Sequence, residues 1–485
     1  MTDHYYSSLQ PYPLRKGDLK KSYSLILGLA FFFGVASLVF DLLFPTWSVF
    51  SRPSWTVLFV MVAFYIRLRQ LVGQNLLGEI GLIYVVLIGA YTIFPALGFA
   101  VLELDEAGPF ARLFPEKEAI GDQLWRQVLF LTSFSIGYLL FRGRAPITLV
   151  PYKRKPRVDR YTLVFIAVLT LFCISVVLSF SAPVETYWEH YTRYDHLPWL
   201  VRKFVSVCIR LNLALYSFLL VFLFLNYSRF KKIIPIVVIL ICYHEVTYSL
   251  GSRIQTLVIL LQVACLYTTT VKHLSIRHGV LGAFFLVALF SIIELIRIMQ
   301  FDFGMVKDSI DQDGVQSASE FGAVFLTAFH LYAERASGSL PPVEWQMFFY
   351  DFTAMFTFGD FVQWNPQGWY ASNYFPESDV APYTLGPIAN SAIWGGEIDL
   401  FFRGLVNGFF FCFMARKFVK YSSRWWAIGL YSYCYATCVL TLKYSVFYHL
   451  TPLIKTVVPC ILIVVIFRML AINHVQGRFI MVKEH

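Results

Sequence analysis

Charge is scarce in this chain. Of its 485 residues only 14% are Asp, Glu, Lys or Arg, and the 30 carboxylates are outnumbered by 40 basic residues. An ordinary soluble domain carries about a quarter charged residues, and a disordered chain is charged and poor in apolar residues, so both classes are excluded. Cysteine is sparse too. Cys173, Cys208, Cys242, Cys265, Cys412, Cys434, Cys438 and Cys460 all fall in apolar runs, which describes neither a disulfide framework nor a metal knuckle. Cys434 and Cys438 share a helical face, as ordinary packing residues do. The chain has no Gly-Lys-Ser/Thr phosphate loop, no His-Glu-x-x-His and no hydrophilic region large enough for nucleotide-sugar chemistry. No metal or other cofactor is called for. The first apolar stretch lacks a small-residue cleavage site and is of spanning length, so it is expected to stay in place rather than be removed as a leader.

Apolar residues supply what charge does not: they make up 58% of the chain, with Phe and Tyr heavily used. Runs of about 18 to 25 such residues recur, each long enough to cross about 30 Å of hydrocarbon at 1.5 Å per residue. About twelve spans are expected, over 22–44, 54–71, 77–102, 125–141, 161–181, 203–226, 233–250, 254–271, 279–299, 387–415, 425–446 and 452–471. Arg67 and Arg69 make the second the weakest, although both can snorkel to the interface. The fold class is therefore an all-α polytopic membrane protein, a single integral membrane domain over 1–485, with a large, partly helical loop before the third-last helix.

Basic residues then set the orientation. With an even number of spans, about 25 of the 40 fall on one face. They include Arg15 to Lys21, Arg142 to Arg160, Arg229 to Lys232, Lys272 with Arg277, and Arg416 to Arg424. That face is expected to be cytoplasmic, with both termini inside. The net charge of +10 then reflects topology rather than nucleic-acid binding.

The longest segment on the opposite face is 300–386. It holds Asp308, Asp311 and Asp313, an apolar helix-like run from Glu320 to Tyr332, the breaker Gly338-Ser339-Leu340-Pro341-Pro342, and an aromatic stretch from Trp345 to Tyr374. It has the composition of a folded loop. Trp345, Trp364, Trp369, Tyr370 and Tyr374 admit two readings, as headgroup-level anchors or as surfaces that stack on sugar rings.

Several ionisable residues stand where charge is costly. Arg253 follows Gly251-Ser252 at the outer mouth of a hydrophobic hairpin, and its guanidinium is either an interfacial anchor or a bidentate grip on phosphate. Arg210, inside the sixth span beside Asn212, must face protein or water, bound either to a ligand or to Glu245 or a backbone carbonyl. Arg297 stands one turn beyond Glu294, as an intrahelical pair or as part of a phosphate clamp that Arg403 completes. Arg335 lies in the loop body and reads as structural. For a base near the outer face the candidates are Glu294, His330, His449 and Glu397. Lys443 and Lys455 flank His449, as phosphate or headgroup contacts. His244 and Glu245 form either a polar network or part of a site. Together these residues point to chemistry on a lipid-linked anion.

Two stretches carry a resemblance. Gly251-Ser252-Arg253-Ile254-Gln255-Thr256-Leu257 opens a long apolar span, and Ala381-Pro382-Tyr383-Thr384-Leu385-Gly386-Pro387-Ile388 runs through Trp394-Gly395-Gly396 to Gly404 and Gly408. In these and in its topology the chain, from about His244 to Lys417, resembles the Wzy-type oligosaccharide repeat-unit polymerases, particularly the enterobacterial common antigen branch. The chain departs from some of these polymerases at one point, because none of Arg193, Arg297, Arg335 and Arg403 has a glycine eleven positions later.

The resemblance implies a glycosyltransferase of the GT-C type, with its site facing the periplasm from the bacterial inner membrane. It would move a growing glycan from undecaprenyl diphosphate onto the non-reducing end of a newly flipped, lipid-linked unit, as in O-antigen and lipopolysaccharide assembly, without a nucleotide sugar. Arg253, Arg297, Arg403 and Arg210 would hold diphosphate, and Trp364, Trp369, Tyr370 and Tyr374 would contact glycan. Membrane lipids, a chain-length regulator and a flippase are the implied partners. An O-antigen ligase or another GT-C enzyme shares the donor. A flippase or transporter shares the intramembrane charges, but no internal repeat supports it.

Overall fold

The computed structural model describes residues 16–44, 48–73, 75–101, 117–143, 160–181, 194, 196–248, 253–275, 277–279, 281–282, 320–350, 353, 365–374, 385–444, 450–467 and 469. Among these every regular element is helical. We number the main helices α1 (Lys16–Leu43), α2 (Ser48–Val72), α3 (Ile80–Val101), α4 (Lys117–Arg142), α5 (Arg160–Ser179), α6 (Trp199–Leu225), α7 (Ile234–Tyr248) and α8 (Arg253–Thr270). There follow α9 (Glu320–Ser337), α10 (Pro366–Tyr374), α11 (Pro387–Ile393), α12 (Gly396–Tyr421) and α13 (Trp425–Thr437). The last, α14 (Leu453–Phe467), opens with a π-helical turn at Leu453–Val457.

Among the described residues six stretches are long and apolar enough to cross a membrane: Ser24–Leu43, Ser48–Val72, Ile120–Arg142, Tyr161–Ser179, Trp199–Leu225 and Gly396–Tyr421. Shorter apolar helices occupy Ile80–Ile93, Ile234–His244, Gln255–Thr270 and Leu453–Phe467. The chain is an all-α membrane protein. Most of the span expected at 279–299 lies outside the described residues. The expected span 387–415 is divided between α11 and α12, because the chain turns at Trp394–Gly395 and Gly396 takes the left-handed φ of +61° that favours glycine.

Helix α4 is the axis on which α2, α3, α9, α11 and α12 pack. Its closest partner is α12. A Cβ added at Gly408 would lie 2.6 Å from the Tyr138 nitrogen, one at Gly404 would lie 2.9 Å from the Phe130 carbonyl, and one at Gly137 would lie 2.5 Å from the Leu405 carbonyl. Only hydrogen fits at these crossings, so the two backbones touch, as small-x-x-x-small sequences allow in membranes. Rings close the seam, with Tyr84 centred 4.6 Å from Phe134 and 4.9 Å from Phe411. A second group joins α6, α8 and α13 through Ser217, Gln262 and Ser432, linked by hydrogen bonds of 3.0 and 3.4 Å.

The second part of the turn between α2 and α3, from Asn75 to Glu79, is largely buried, and its polar groups are matched from elsewhere. Tyr431 donates to the Gly78 carbonyl at 2.7 Å and accepts from the Ile80 amide at 3.2 Å, while Tyr435 donates to the Leu77 carbonyl at 2.7 Å. The backbone groups left over at a helix end thus find partners away from water. At the same place Glu79 and Arg142, both without side-chain exposure, form an ion pair through Nε at 2.9 Å and Nη2 at 2.5 Å, and Tyr138 donates to Glu79 at 2.7 Å.

Removing one member strands the other charge, which costs about 3–5 kcal/mol in buried pairs, whereas replacing both with apolar groups is often neutral. Glu79→Leu and Arg142→Leu alone are each expected to lower the unfolding midpoint of detergent-purified protein steeply, and the double variant to recover most of the loss. Additive losses in the double variant would show that the pair is not coupled.

Candidate functional site

Helix α9 is amphipathic. Phe325, Leu326, Ala328, Leu331 and Tyr332 are buried, while His330 and Glu334, one turn apart, are only half-buried and look toward α10. The latter helix begins with Pro366 in its first turn, and the Asn365 side chain accepts the Gln367 amide at 3.0 Å, which fixes where the turn starts. The Trp369 indole donates to the Pro342 carbonyl at 3.0 Å and ties α10 to the strand-like approach after α9.

These two helices bring together a polar aromatic cluster, the His330 pocket. Tyr370, almost wholly buried, places its hydroxyl 2.9 Å from His330 Nδ1, and the Tyr374 ring meets the imidazole edge-on with centroids 4.6 Å apart. Glu334 Oε1 lies 3.7 Å from His330 Nε2. Burial lowers the His330 pKa, opposed by the charge of Glu334, and burial together with that same carboxylate pushes the Tyr374 phenol up. His330 is thereby neutral near pH 7, with one nitrogen held by a phenol and the other beside a carboxylate. A base that must accept a proton and then be stabilised as a cation needs these neighbours.

Beside the pocket, Arg335 crosses to the α11–α12 break. Its Nη1 donates to the carbonyls of Ala392 at 2.8 Å and Trp394 at 3.2 Å, which the end of α11 leaves unmatched. Arg126 of α4 pairs with Glu397 at 3.0 Å and lays its guanidinium 4.0 Å from the Tyr332 ring centre, and the Tyr332 hydroxyl is 2.9 Å from Ser391 Oγ. Arg403 is joined to Asp399 one turn before it at 2.6 Å. Of the sequence candidates here, His330, Tyr370 and Tyr374 come together, and Trp369 packs at the same helix. Glu397 and Arg403 sit in ion pairs on the first turns of α12.

Arg210 occupies different ground. It is exposed on α6, about 16 Å along that helix from its first residue at 1.5 Å per residue, and α6 packs against the π-helical turn of α14 that carries Lys455. The expected partner Glu245 has no described side chain. Cations carried on two neighbouring apolar helices suit an anionic ligand. Glu294, Arg297, His449 and Trp364 lie outside the described residues, as does the side chain of Arg253, whose backbone opens α8.

Nothing in the sequence singled out Arg126, Tyr332, Glu334 or Ser391. Their roles come from contacts between distant helices, and only the adjacent charges Glu334-Arg335 near the end of an apolar run mark the place. Compared with known proteins, no family model, no curated protein and no solved structure matches the chain.

The lowered His330 pKa has a consequence for pH. The unfolded imidazole binds a proton below about pH 6.5 while the folded one resists, so stability is full above that pH and falls as pH drops through it. Thermal unfolding at pH 5.5 is expected at a lower temperature than at pH 7.5, and His330→Gln should remove part of that difference. An unchanged pH dependence in the variant would place the proton elsewhere.

Proposed function

We propose that this protein is a glycosyltransferase that polymerises oligosaccharide units carried on undecaprenyl diphosphate. It lies in a bacterial inner membrane, crosses it about twelve times and keeps both termini in the cytoplasm. The segment 300–386 then faces the periplasm, where lipid-linked units arrive. The observation that carries the reading is the packing of α6, which bears Arg210, on the turn of α14 that bears Lys455, two positive charges on neighbouring apolar helices that suit a lipid diphosphate. The Gly251-Ser252-Arg253 resemblance assigns diphosphate binding to Arg253 as well.

In this reading His330 is the base. With Tyr370 accepting the Nδ1 proton, Nε2 carries the lone pair. Nε2 takes the proton of an acceptor hydroxyl as that oxygen attacks the anomeric carbon of the donor sugar. The bond from that carbon to the diphosphate oxygen breaks, and undecaprenyl diphosphate leaves with the electron pair. Glu334 stabilises the imidazolium formed. A single displacement inverts the anomeric configuration. The cations hold the leaving diphosphate as its negative charge develops. Trp369 lines the approach of the glycan, and the resemblance assigns glycan contact to Trp364 as well.

General-base catalysis contributes about 10²- to 10⁴-fold, so His330→Ala is expected to cut polymer formation by at least the lower figure with membrane insertion intact. Arg210→Ala and Arg253→Lys should also abolish long chains, the second because lysine keeps the charge and loses the fork of donors. Arg335→Ala should be milder than either. Wild-type chain lengths from His330→Ala and Arg210→Ala would overturn the reading.

A further inference from the structure

Among the described residues an exposed apolar patch lies outside both the candidate spans and the shorter apolar helices. After Gly338, whose φ of +73° ends α9, and the Pro341-Pro342 pair, the chain makes a tight 3-10 turn over Trp345–Phe349. Within it Met347 is buried, but Trp345 is 68% exposed, Phe348 52% and Phe349 48%. Their rings form a connected cluster, Trp345 meeting Phe349 at 6.1 Å and Phe348 meeting Phe349 at 5.3 Å, both edge to face. Displaying three large apolar side chains to water is unfavourable by about 25 cal/mol per Å² of apolar surface, so the patch requires a covering surface.

The position of the patch identifies that surface. Phe348 packs edge-on against Trp394 with centroids 5.4 Å apart, and Trp394 stands two residues before Gly396, where the apolar span Gly396–Tyr421 begins. The patch is therefore level with the end of a membrane-spanning helix. The first turns of that helix carry Ile398 and Phe402, both exposed, so the apolar surface of the turn lies beside that of the span. Tryptophan and phenylalanine at this depth match the boundary between headgroups and acyl chains, where an apolar ring is covered and an indole N–H stays hydrated.

We infer that Trp345–Phe349 is a membrane seat: Trp345, Phe348 and Phe349 insert into the lipid interface at this end of the bundle. The inference does not depend on the proposed activity. The seat is coupled to the His330 pocket, because the Trp369 indole of α10 is hydrogen-bonded to the Pro342 carbonyl three residues before Trp345. The inserted turn therefore fixes the height of the pocket above the bilayer, where a lipid-anchored molecule would be reached without leaving the membrane.

Nitroxide labels on Trp345→Cys and Phe349→Cys, in the full chain in phosphatidylcholine nanodiscs, test this, with Ser339→Cys as a reference and unmutated protein to measure labelling of native thiols. The ratio of oxygen to water-soluble nickel-chelate accessibility is expected to be severalfold higher at 345 and 349 than at 339. Equal ratios at all three would place the turn in water, and labels shielded from both reagents would mean protein covers it; either result overturns the inference. If the cysteine variants do not fold, brominated phosphatidylcholine replaces the labels. Bromolipid should then quench unmutated protein more than Trp345→Phe, and equal quenching would overturn the inference.

Discussion

The contact between α4 and α12 is the constraint on which the other contacts depend. Gly404, Gly408 and Gly137 let two backbones meet without intervening side chains, and in lipid such packing supplies association that hydrophobic burial does not. Both ends of the seam are polar. At one, Glu79 and Arg142 fix the α2–α3 turn against α4. At the other, about 24 Å along α4 at 1.5 Å per residue, Arg126 reaches Glu397 and Tyr332. The seam thus sets where α12 begins, and with it the break that Arg335 caps.

That break links scaffold to site. Arg335 and Tyr332 lie on the same helix as His330 and Glu334, so the residues that hold α11 and α12 in place also orient the pocket. In the cluster itself a phenol stands on one imidazole nitrogen and a carboxylate near the other. The proposed division of labour follows: a neutral histidine handles a proton near the membrane surface while Arg210 and Lys455, on another pair of helices, hold negative charge.

Much of this was legible before any coordinates. Apolar runs long enough to span announced the class, whereas Gly404 and Gly408 marked only the stretch that carries the resemblance and not a packing seam. The cost of charge in hydrocarbon singled out Arg210. His330 appeared among four candidate bases, but nothing local distinguished it, because Tyr370, its phenol partner, is 40 positions away in the chain. Arg142 was hidden by its company, since it opens a basic stretch and reads as a loop charge, while its partner Glu79 is 63 positions away. The break after Trp394 was blurred because α11 and α12 form one apolar run in sequence. Glycine's freedom at positive φ becomes visible only when Arg335 is seen packed beside Gly396, which a Cβ would approach to 3.3 Å.

The measurement that tests the central claim most directly uses purified protein in nanodiscs, given an undecaprenyl-diphosphate-linked oligosaccharide and no nucleotide sugar, with products resolved on a gel. The account predicts a ladder of lengthening lipid-linked glycans and release of undecaprenyl diphosphate. No ladder, together with labelled substrate crossing between leaflets in proteoliposomes, would contradict it and make the cationic site that of a transporter.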